Sequence, residues 1–523
     1  MTRLDEKHFG RRTWVALLVG ALGAHAGTAS AQMSYSGDGW EITAFGYLRQ
    51  YVSMNLEDPP ENPGDDKYRL SMVRTQFQPA LEGNVGPVDF RIQARSVREM
   101  ETGYLEDLED LGANSGDDLV EDIYDNDEIR EAYIDFDLTN TTNVRLGRQQ
   151  VAFGETDFFQ ALDLIHGFDY TWRSFLVSEN EDSRKPLNML NITQQVTPWQ
   201  GAFQVLLIPG GDLNRDRDFG TSYGLSGGRW SNQPNKGVDF LNPGVSPYQY
   251  DHKEGDTDDL KGAIRWTGLT PGGGINYSFN YLHVHNPDPV FNSVFAPYEG
   301  DGPDNGFASL IYPIIDVIGF TASGYSTKAD AVFSTEIAYA MDKPFNVGQD
   351  PSVCGATGQA AIAGICGVDE KDVVSLMIRM DKQVDWTQTV FKTSRPSFFS
   401  VQIFDDYIVD LEDSDDLVQL VGYSADPKSH SVIATAILGL NYKNDTINPQ
   451  LAGGYDVSYG GGFVIPSVQF VWGNHWRLKL EADIFFDDGS TPPPGSPATS
   501  DDTTIFGYFD HNDQLMARLT YQF

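Results

Sequence analysis

The sequence predicts an all-β fold, a transmembrane antiparallel up-and-down β-barrel of about 18 strands, with a range of roughly 16–18. Three observations predict it. Strand-length stretches alternate between apolar and polar residues, the connections between them alternate between short and long, and the chain ends in an alternating strand whose last residue is Phe523. A water-soluble β-sandwich shows the same alternation of apolar and polar residues, so the lengths of the connections have to distinguish the two folds. Tight turns on one side and long loops on the other are typical of outer-membrane barrels.

Composition and charge exclude several classes of protein. The chain has 523 residues, of which 40% are hydrophobic and 12% aromatic, and its formal net charge is −39. So acidic a chain lacks the clustered cations that a nucleic-acid surface needs. No apolar run of about 18 residues follows the N-terminus, which excludes a bundle of transmembrane helices. The aromatic content argues against intrinsic disorder, because these residues can bury ample surface.

Residues 1–31 have the three parts of a secretory signal peptide. Basic residues come first, an apolar stretch follows over residues 14–22, and small residues at 29–31 provide a cleavage site. An uncleaved N-terminal anchor is the alternative. We expect residues 32–523 to form the mature barrel in the outer membrane of a Gram-negative bacterium.

The alternating stretches are about ten residues long, enough for a tilted strand to cross the hydrocarbon layer. Short periplasmic turns are expected near residues 84–87, 139–142, 198–200, 268–273, 324–328, 443–447 and 473–475, with a longer link at 384–396. Long extracellular loops are expected near 55–68, 100–127, 154–186, 210–258, 286–313, 343–370, 411–429 and 488–512, and the short connection at 459–461 is the exception.

The ends of the strands indicate partners. Tyr521 and the terminal Phe523 resemble the signal by which barrel-assembly machinery recognises a last strand, and an ordinary edge strand is the alternative. Trp266, Trp472 and Trp476 flank expected turns, as an aromatic girdle requires. Outer-membrane lipid and lipopolysaccharide are therefore expected partners. Nucleic acid is not, and homo-oligomerisation stays open.

If the apolar faces contact lipid, the alternate residues point into the lumen. Charges of both signs there suit a hydrated channel for small solutes better than a dry core. A lumen plugged by paired charges is the alternative. We expect few apolar residues on the inward faces, which favours polar over hydrophobic cargo. The predicted pore-lining residues are Arg74, Arg91, Arg95, Glu131, Asp135, Arg145, Arg265 and Glu336.

The connection at 154–186 differs from the other loops because it is rich in aromatic residues, which seldom stay exposed in such number. We expect part of it to fold into the lumen and narrow it, with its carboxylates opposite Arg74, Arg91 and Arg95. Packing on the rim or on a neighbouring protomer is the alternative. The predicted constriction residues are Glu155, Asp157, Phe158, Phe159, Asp163, Asp169 and Trp172.

Other reactive residues predict little chemistry. Cys354 and Cys366 are the only cysteines, and in an exported chain they are expected to form a disulfide. Acidic residues at 212–218 have the spacing of a calcium loop, but Arg217 stands where the turn glycine is needed. We therefore expect no metal, no cofactor, no catalytic residues and no enzymatic activity. The alternative is a catalytic site whose residues are adjacent only in the folded chain, because such a site has no motif in the sequence.

Several short motifs resemble a family of proteobacterial outer-membrane, porin-like β-barrels that is catalogued only as a domain of unknown function. They lie over residues 140–345 and comprise the segments 146–149, 153–155, 184–190, 207–209, 281–285, 336–339 and 343–345. The resemblance implies a channel for small polar or amphipathic solutes. Members are often associated with exporters of the resistance-nodulation-division type and with the breakdown of hydrophobic compounds.

Two departures from the family pattern leave the shape of the 154–186 loop open. Phe153 replaces a usual Trp, and residues 166–169 replace an Asn-Pro-like turn. Arg148 also falls on the apolar side of its strand, where a cation at mid-depth costs roughly 2–4 kcal/mol. A bulge or a position near the rim would resolve that cost. Two other functions stay open, namely a channel for hydrophobic compounds linked to export or catabolism, and a cell-surface adhesion or binding barrel.

Overall fold

The structure, a computed structural model, describes residues 32–58, 65–110, 118–154, 156, 159–169, 172–173, 176, 180–210, 229–230, 245–246, 260–272, 274–286, 290–293, 295–298, 308–311, 313–358, 361, 363–419, 426–487 and 505–523. The signal peptide expected at 1–31 and the calcium-like segment at 212–218 lie outside these residues.

Strands dominate the described chain. They are β1 (Met33–Gly37), β2 (Trp40–Asn55), β3 (Leu70–Val85), β4 (Val88–Glu99), β5 (Asn126–Thr139), β6 (Thr142–Gln149), β7 (Leu187–Val196), β8 (Gly201–Ile208), β9 (Val245–Ser246), β10 (Lys261–Leu269), β11 (Ile275–His285), β12 (Val290–Ser293), β13 (Ala308–Ile311), β14 (Ile314–Ser326), β15 (Ala331–Val347), β16 (Gly367–Val384), β17 (Ser397–Ile408), β18 (His430–Gly439), β19 (Ile447–Asp456), β20 (Gly462–Trp472), β21 (Trp476–Phe486) and β22 (Gln514–Gln522).

Eighteen of these strands form one closed antiparallel barrel, as the sequence predicted. Each pairs with its neighbours along the chain, and β22 returns to pair with β2, with Tyr51 opposite Arg518. Closure leaves no free sheet edge in the barrel wall, which satisfies the backbone hydrogen bonds that lipid could not. The prediction missed the short strands: β1 pairs with the start of β2, and β9, β12 and β13 form a separate small sheet.

The connections alternate in length as predicted, so the barrel has a turn end and a loop end. The β3–β4 connection shows how tight the turn end is, because only Gly86 and Pro87 separate the two strands. Gly86 takes a φ of +60° there, which glycine adopts without strain. The longest link at the turn end, residues 385–396, carries a short helix, Trp386–Val390. Both termini of the barrel lie at the turn end.

Helices are few and lie in connections. They are Gly103–Asp110, the π-helix Leu119–Tyr124, Asn180–Ser183, Trp386–Val390 and Ile505–Tyr508, with single 3₁₀ turns at Thr197–Trp199, Pro351–Cys354 and Asp413–Asp415. Among the residues that the structure describes, none of the helices is long and apolar enough to cross a membrane. A disulfide joins Cys354 to Cys366 within the loop between β15 and β16, with the two Cα atoms 5.5 Å apart.

The outer surface of the barrel is apolar and exposed. One row of paired residues runs outward across neighbouring strands, from Phe203 through Trp266, Phe279 and Phe320 to Ile337. Phe279 is 56% exposed, and its ring lies 5.3 Å from that of Phe320. A monomeric soluble protein rarely presents so continuous an apolar surface to water. The period-two pattern therefore sorts apolar residues outward and most of the charged residues inward.

Candidate functional site

The connection between β6 and β7, residues 150–186, enters the barrel; we call it the crossing loop. Its Leu162 is fully buried and lies over Gly319 of β14, where an added Cβ would stand 2.3 Å from the leucine side chain. On the opposite wall, Trp172 packs edge-on against Tyr51 of β2 at 5.4 Å between ring centroids. The guanidinium of Arg74 lies 4.6 Å from the Trp172 ring. The loop therefore contacts opposite sides of the lumen.

His166 ties together the two ends of the crossing loop. The backbone N–H of Val151 donates to His166 Nε2 at 2.9 Å, so the other ring nitrogen, Nδ1, carries the proton and donates to the carbonyl of Lys185 at 2.9 Å. Burial of the ring, together with the positive charge of Arg184, lowers the pKa of His166 to about 3. The neutral ring is thus the form that holds the loop closed.

A buried ion pair stabilises the loop from within. Asp163 accepts from the guanidinium of Arg184 and, at 3.3 Å, from the backbone N–H of Phe153. Both charged side chains are almost fully buried. Because only two residues separate Arg184 from β7, this pair fixes the middle of the loop to its exit.

Arg173 fastens the loop to the far wall. Its guanidinium lies between two buried carboxylates of β21, Glu481 and Asp483, the latter at 3.3 Å. Lys479 of the same strand also pairs with Glu481. Charges in such a dry place are stable only as a paired set. The two carboxylates therefore form a receptor for the arginine of the loop.

Asp182, in the short helix before β7, binds the basic side of the lumen. It pairs with Arg95 of β4 at 2.9 Å and with Arg49 of β2, and it accepts from the hydroxyl of Tyr47 at 3.1 Å. Burial opposes the charge of this carboxylate, but the two arginines outweigh it and lower the pKa of Asp182. The sequence-based set did not contain Asp182, because an Asp between Glu181 and Ser183 carries no local signal.

Apolar residues fill much of the lumen at the loop end, contrary to the expectation that few would point inward. In one cluster, Phe153, Leu162 and Ile165 of the crossing loop cover inward residues of β7 to β17. In two others, residues from several loops cover the remaining walls; these are Leu176, Trp230, Phe506 and Phe509, and Tyr104, Leu105, Leu108, Leu119, Tyr124 and Trp172. Inward apolar residues are therefore more numerous than expected, and they are stable because side chains of the loops cover them and keep water away.

The predicted pore-lining residues all lie on inward faces, but they divide into two groups. At the turn end, Arg91 pairs with Glu131 at 2.7 Å and Arg145 with Asp135 at 2.8 Å, and both arginines keep about a third of their side chain exposed. Toward the loop end, three residues are covered by the crossing loop. These are Arg74, Arg95 and Glu336. Arg265 lies between the groups and is described below.

The predicted constriction residues also divide. Phe159 packs edge-on against Phe404 of β17 at 5.6 Å, and Trp172 contacts the basic wall. Asp163 faces Arg184 of its own loop, and Asp182 of the same loop lies opposite Arg95. The backbone N–H of Asp169 donates to the carbonyl of Ser183, and the carboxylate of Asp169 attracts Arg74. Glu155, Asp157 and Phe158 lie outside the described residues.

Arg148 avoids the free-energy cost of placing a cation on the lipid-facing side of its strand. Its side chain is buried, and its Nε donates to the carbonyl of Ile129 at 2.6 Å. β5 carries a register shift next to this carbonyl, where its pairing with β4 passes from Glu131 to Ile129. Gly147 precedes the arginine at a φ of +130°, and a Cβ there would stand 2.3 Å from the carbonyl of Ala132. The bulge considered from the sequence is therefore present.

A cavity of about 530 Å³ lies in the lumen at the turn end, below the start of the crossing loop. Its wall comes from β8, β10, β11 and β14 and is rich in hydroxyl and amide groups, among them Thr267, Ser278, Thr321, Ser323 and Asn276. Arg265 enters it from β10. Apart from Arg265 this wall is uncharged, and only β7 separates it from the strands β4 to β6 that carry the paired charges.

In the part of the chain that the structure describes, no group of three or more His, Cys, Asp or Glu side chains is placed to hold an ion. His283 instead pairs with Asp316 of the neighbouring strand at 2.8 Å, on the outer surface. His285, two residues further, is buried near the loop end.

The sequence has little identity with curated proteins or with solved structures. No curated protein matches the sequence significantly. Solved structures similar to the chain include OccAB1 of Acinetobacter baumannii, with 9% identity over 92% of this chain and 96% of that chain and a TM-score of 0.49. Others are OpdK of Pseudomonas aeruginosa with vanillate (8% identity, 92% and 98%, TM-score 0.43) and OmpF of Salmonella typhi in complex with daunomycin (9% identity, 94% and 100%, TM-score 0.42).

The family comparison covers nearly the whole sequence. The model of a family described as protein of unknown function, DUF1302, matches residues 12–523. That span includes the 22 strands of the described residues and the crossing loop. The chain therefore belongs to the DUF1302 family.

Proposed function

We propose that the protein is an outer-membrane channel for the passive diffusion of small polar or amphipathic solutes, narrowed by the crossing loop. The observation that carries this proposal is the reversed sorting of side chains: apolar residues are exposed on the outside of a closed barrel, and charges and hydroxyl groups line the turn end of its lumen. An apolar outer surface is stable in contact with lipid, and a polar lumen is stable in contact with water.

The aromatic residues at the turn end support a membrane boundary there. Trp199, Trp386, Trp472 and Trp476 are all exposed next to turns, as residues of an interfacial girdle are. We place the turns in the periplasm and the loops outside the cell, in contact with lipopolysaccharide. The C-terminal strand, ending at Phe523, remains the proposed contact for barrel-assembly machinery.

A channel for hydrophobic compounds is the second candidate, and one observation favours it. The inward residues Leu206, Leu282 and Val317 form an apolar wall at the loop end. If the crossing loop moved aside, this wall would be open to an apolar solute. In the closed arrangement Leu162 and Ile165 cover it, so the wall already has an occupant and the polar route ranks first.

Single-channel recording in planar bilayers tests the proposal. Purified protein should give discrete conductance steps, and swelling of liposomes in sugars, amino acids and organic acids should rank the permeant solutes. A barrel that folds, shown by a mobility shift on gels with and without boiling, but conducts no ions would refute the channel and favour an adhesion or binding role for the loops.

A further inference from the structure

Arg265 differs from the other lumen arginines in its partners. Its Nε and Nη2 both donate to the side-chain oxygen of Gln204, at 3.0 and 2.5 Å, and its Nη1 donates to the carbonyl of Ala152 at 3.0 Å. The guanidinium carbon lies 4.2 Å from the ring centre of Phe153. All these partners are uncharged. Of the five N–H groups of an arginine, two are left for another acceptor.

The contrast with neighbouring cations is direct. Arg91, Arg95, Arg145 and Arg173 each pair with at least one carboxylate. Among the described residues, no carboxylate lies within ion-pair distance of Arg265. The carboxylate that acts on it from further away, Asp163, is already paired with Arg184. A cation that is partly shielded from water and has no directly paired carboxylate raises the local concentration of anions.

The cavity around Arg265 gives the anion its remaining contacts. The volume of about 530 Å³ lies within the range of pockets that hold small molecules, roughly 300–1,000 Å³. Ser278 and Thr321 face each other across two strands, with their hydroxyl oxygens 2.7 Å apart, and Thr267 lines the same space. Hydroxyl groups both donate and accept, so they match the hydroxyl groups of a solute.

We propose that this cavity is a binding site for small hydroxylated monoanions, with the carboxylate on Arg265 and the solute hydroxyls on Ser278, Thr321 and Thr267. The fork of a guanidinium matches the two oxygens of a carboxylate. A single cation with no directly paired carboxylate among the described residues favours a solute with one negative charge, and the hydroxyl and amide groups around it favour hydroxyl groups. This inference rests on the proposed channel function and names the class of solute that the turn end of the channel holds.

Titration calorimetry on the detergent-solubilised full-length protein tests the site with three probes. Gluconate carries both features, glucose lacks the charge and benzoate lacks the hydroxyl groups. Gluconate should bind most tightly. Arg265→Gln should weaken gluconate binding by about tenfold or more, since a hydrogen bond to a charged group contributes about 1.5–3 kcal/mol. The control, Arg395→Gln, removes the same charge from an exposed turn pair with Asp445 and should bind gluconate as the wild type does.

A second variant keeps the test open if Arg265→Gln does not form a barrel. Ser278→Ala with Thr321→Val retains the arginine and should weaken gluconate binding while leaving benzoate binding unchanged. Equal affinity of Arg265→Gln and wild type for gluconate would overturn the proposal, and so would benzoate binding as tightly as gluconate. Bilayer recording separates the two levels: conductance without gluconate binding refutes the site alone, and gluconate binding without conductance refutes the channel alone.

Discussion

The two ends of the lumen are formed by the same strands but differ in what covers their inward side chains. At the loop end, inward residues such as Leu282 and Val317 are covered by loop residues, and the charges there are buried in complete sets. At the turn end, inward residues are hydroxyls, amides and partly exposed ion pairs around a cavity. The comparison teaches that inward position alone does not make a residue line a pore, because a loop can occupy the place of water.

The largest expected effect comes from removing the filling of the loop end. Replacing residues 160–175 with a short Gly/Ser linker deletes Leu162, Ile165, His166 and Trp172 together. The open-channel conductance should rise severalfold, because the narrowest part of the lumen widens. The matched control replaces the exposed residues 412–414 of the loop between β17 and β18 with Gly/Ser and should conduct as the wild type does. Unchanged conductance in the 160–175 variant would mean that the crossing loop is not the constriction.

Removing the ion pairs between Arg173 and β21 should loosen the crossing loop without deleting it. Arg173→Met leaves Glu481 and Asp483 buried without their main cation, which costs about 3–5 kcal/mol for a buried pair. Urea unfolding in lipid vesicles should show this loss, and the conductance should become noisy as the loop moves. Adding Glu481→Gln and Asp483→Asn should recover most of the stability. If Arg173→Met is as stable as the wild type, Arg173 does not form these ion pairs with Glu481 and Asp483.

Acid should open the same loop through His166. The folded-state pKa of about 3 lies below the usual value of 6.5, so between these pH values the proton binds the open state better than the closed state. The closure that His166 contributes is fully present above about pH 6.5 and is lost as the pH falls toward 3, by up to about tenfold in the closing equilibrium per pH unit. Recordings from pH 7 to 4 should show increasing opening, and His166→Gln should remove that part of the pH dependence.

The smallest expected effect concerns the contact of Leu162 with Gly319 of β14. Gly319→Val forces a side chain into space that the leucine occupies, and overpacking of this kind costs about 1–3 kcal/mol. Gly439→Val is the control, because the nearest atom to an added Cβ there is 3.9 Å away, at Phe398. Limited proteolysis of the loop should accelerate in the first variant only. Equal rates in both would show that Leu162 does not dock at β14.

Much of the fold could be predicted because lipid imposes a rule on every strand. A strand in a membrane barrel has one side in hydrocarbon, so residues such as Ile264, Phe279 and Ile318 reveal strand, face and register together. The candidate site obeys no such rule. Arg95 and Arg145 look alike in the sequence, yet the first is covered by Asp182 and the second stays partly exposed at the turn end.

The amino-acid sequence by itself determined the barrel, its strand number and the alternation of turns and loops, since these follow from local periodicity and from the length of a membrane crossing. Only the tertiary structure decided which inward residues meet water. Arg173 and Glu481 are 308 positions apart, and Arg265 differs from the other arginines in that no carboxylate of the described residues forms an ion pair with it. Partners of this kind are chosen by the path of a loop through three-dimensional space, which no local pattern records.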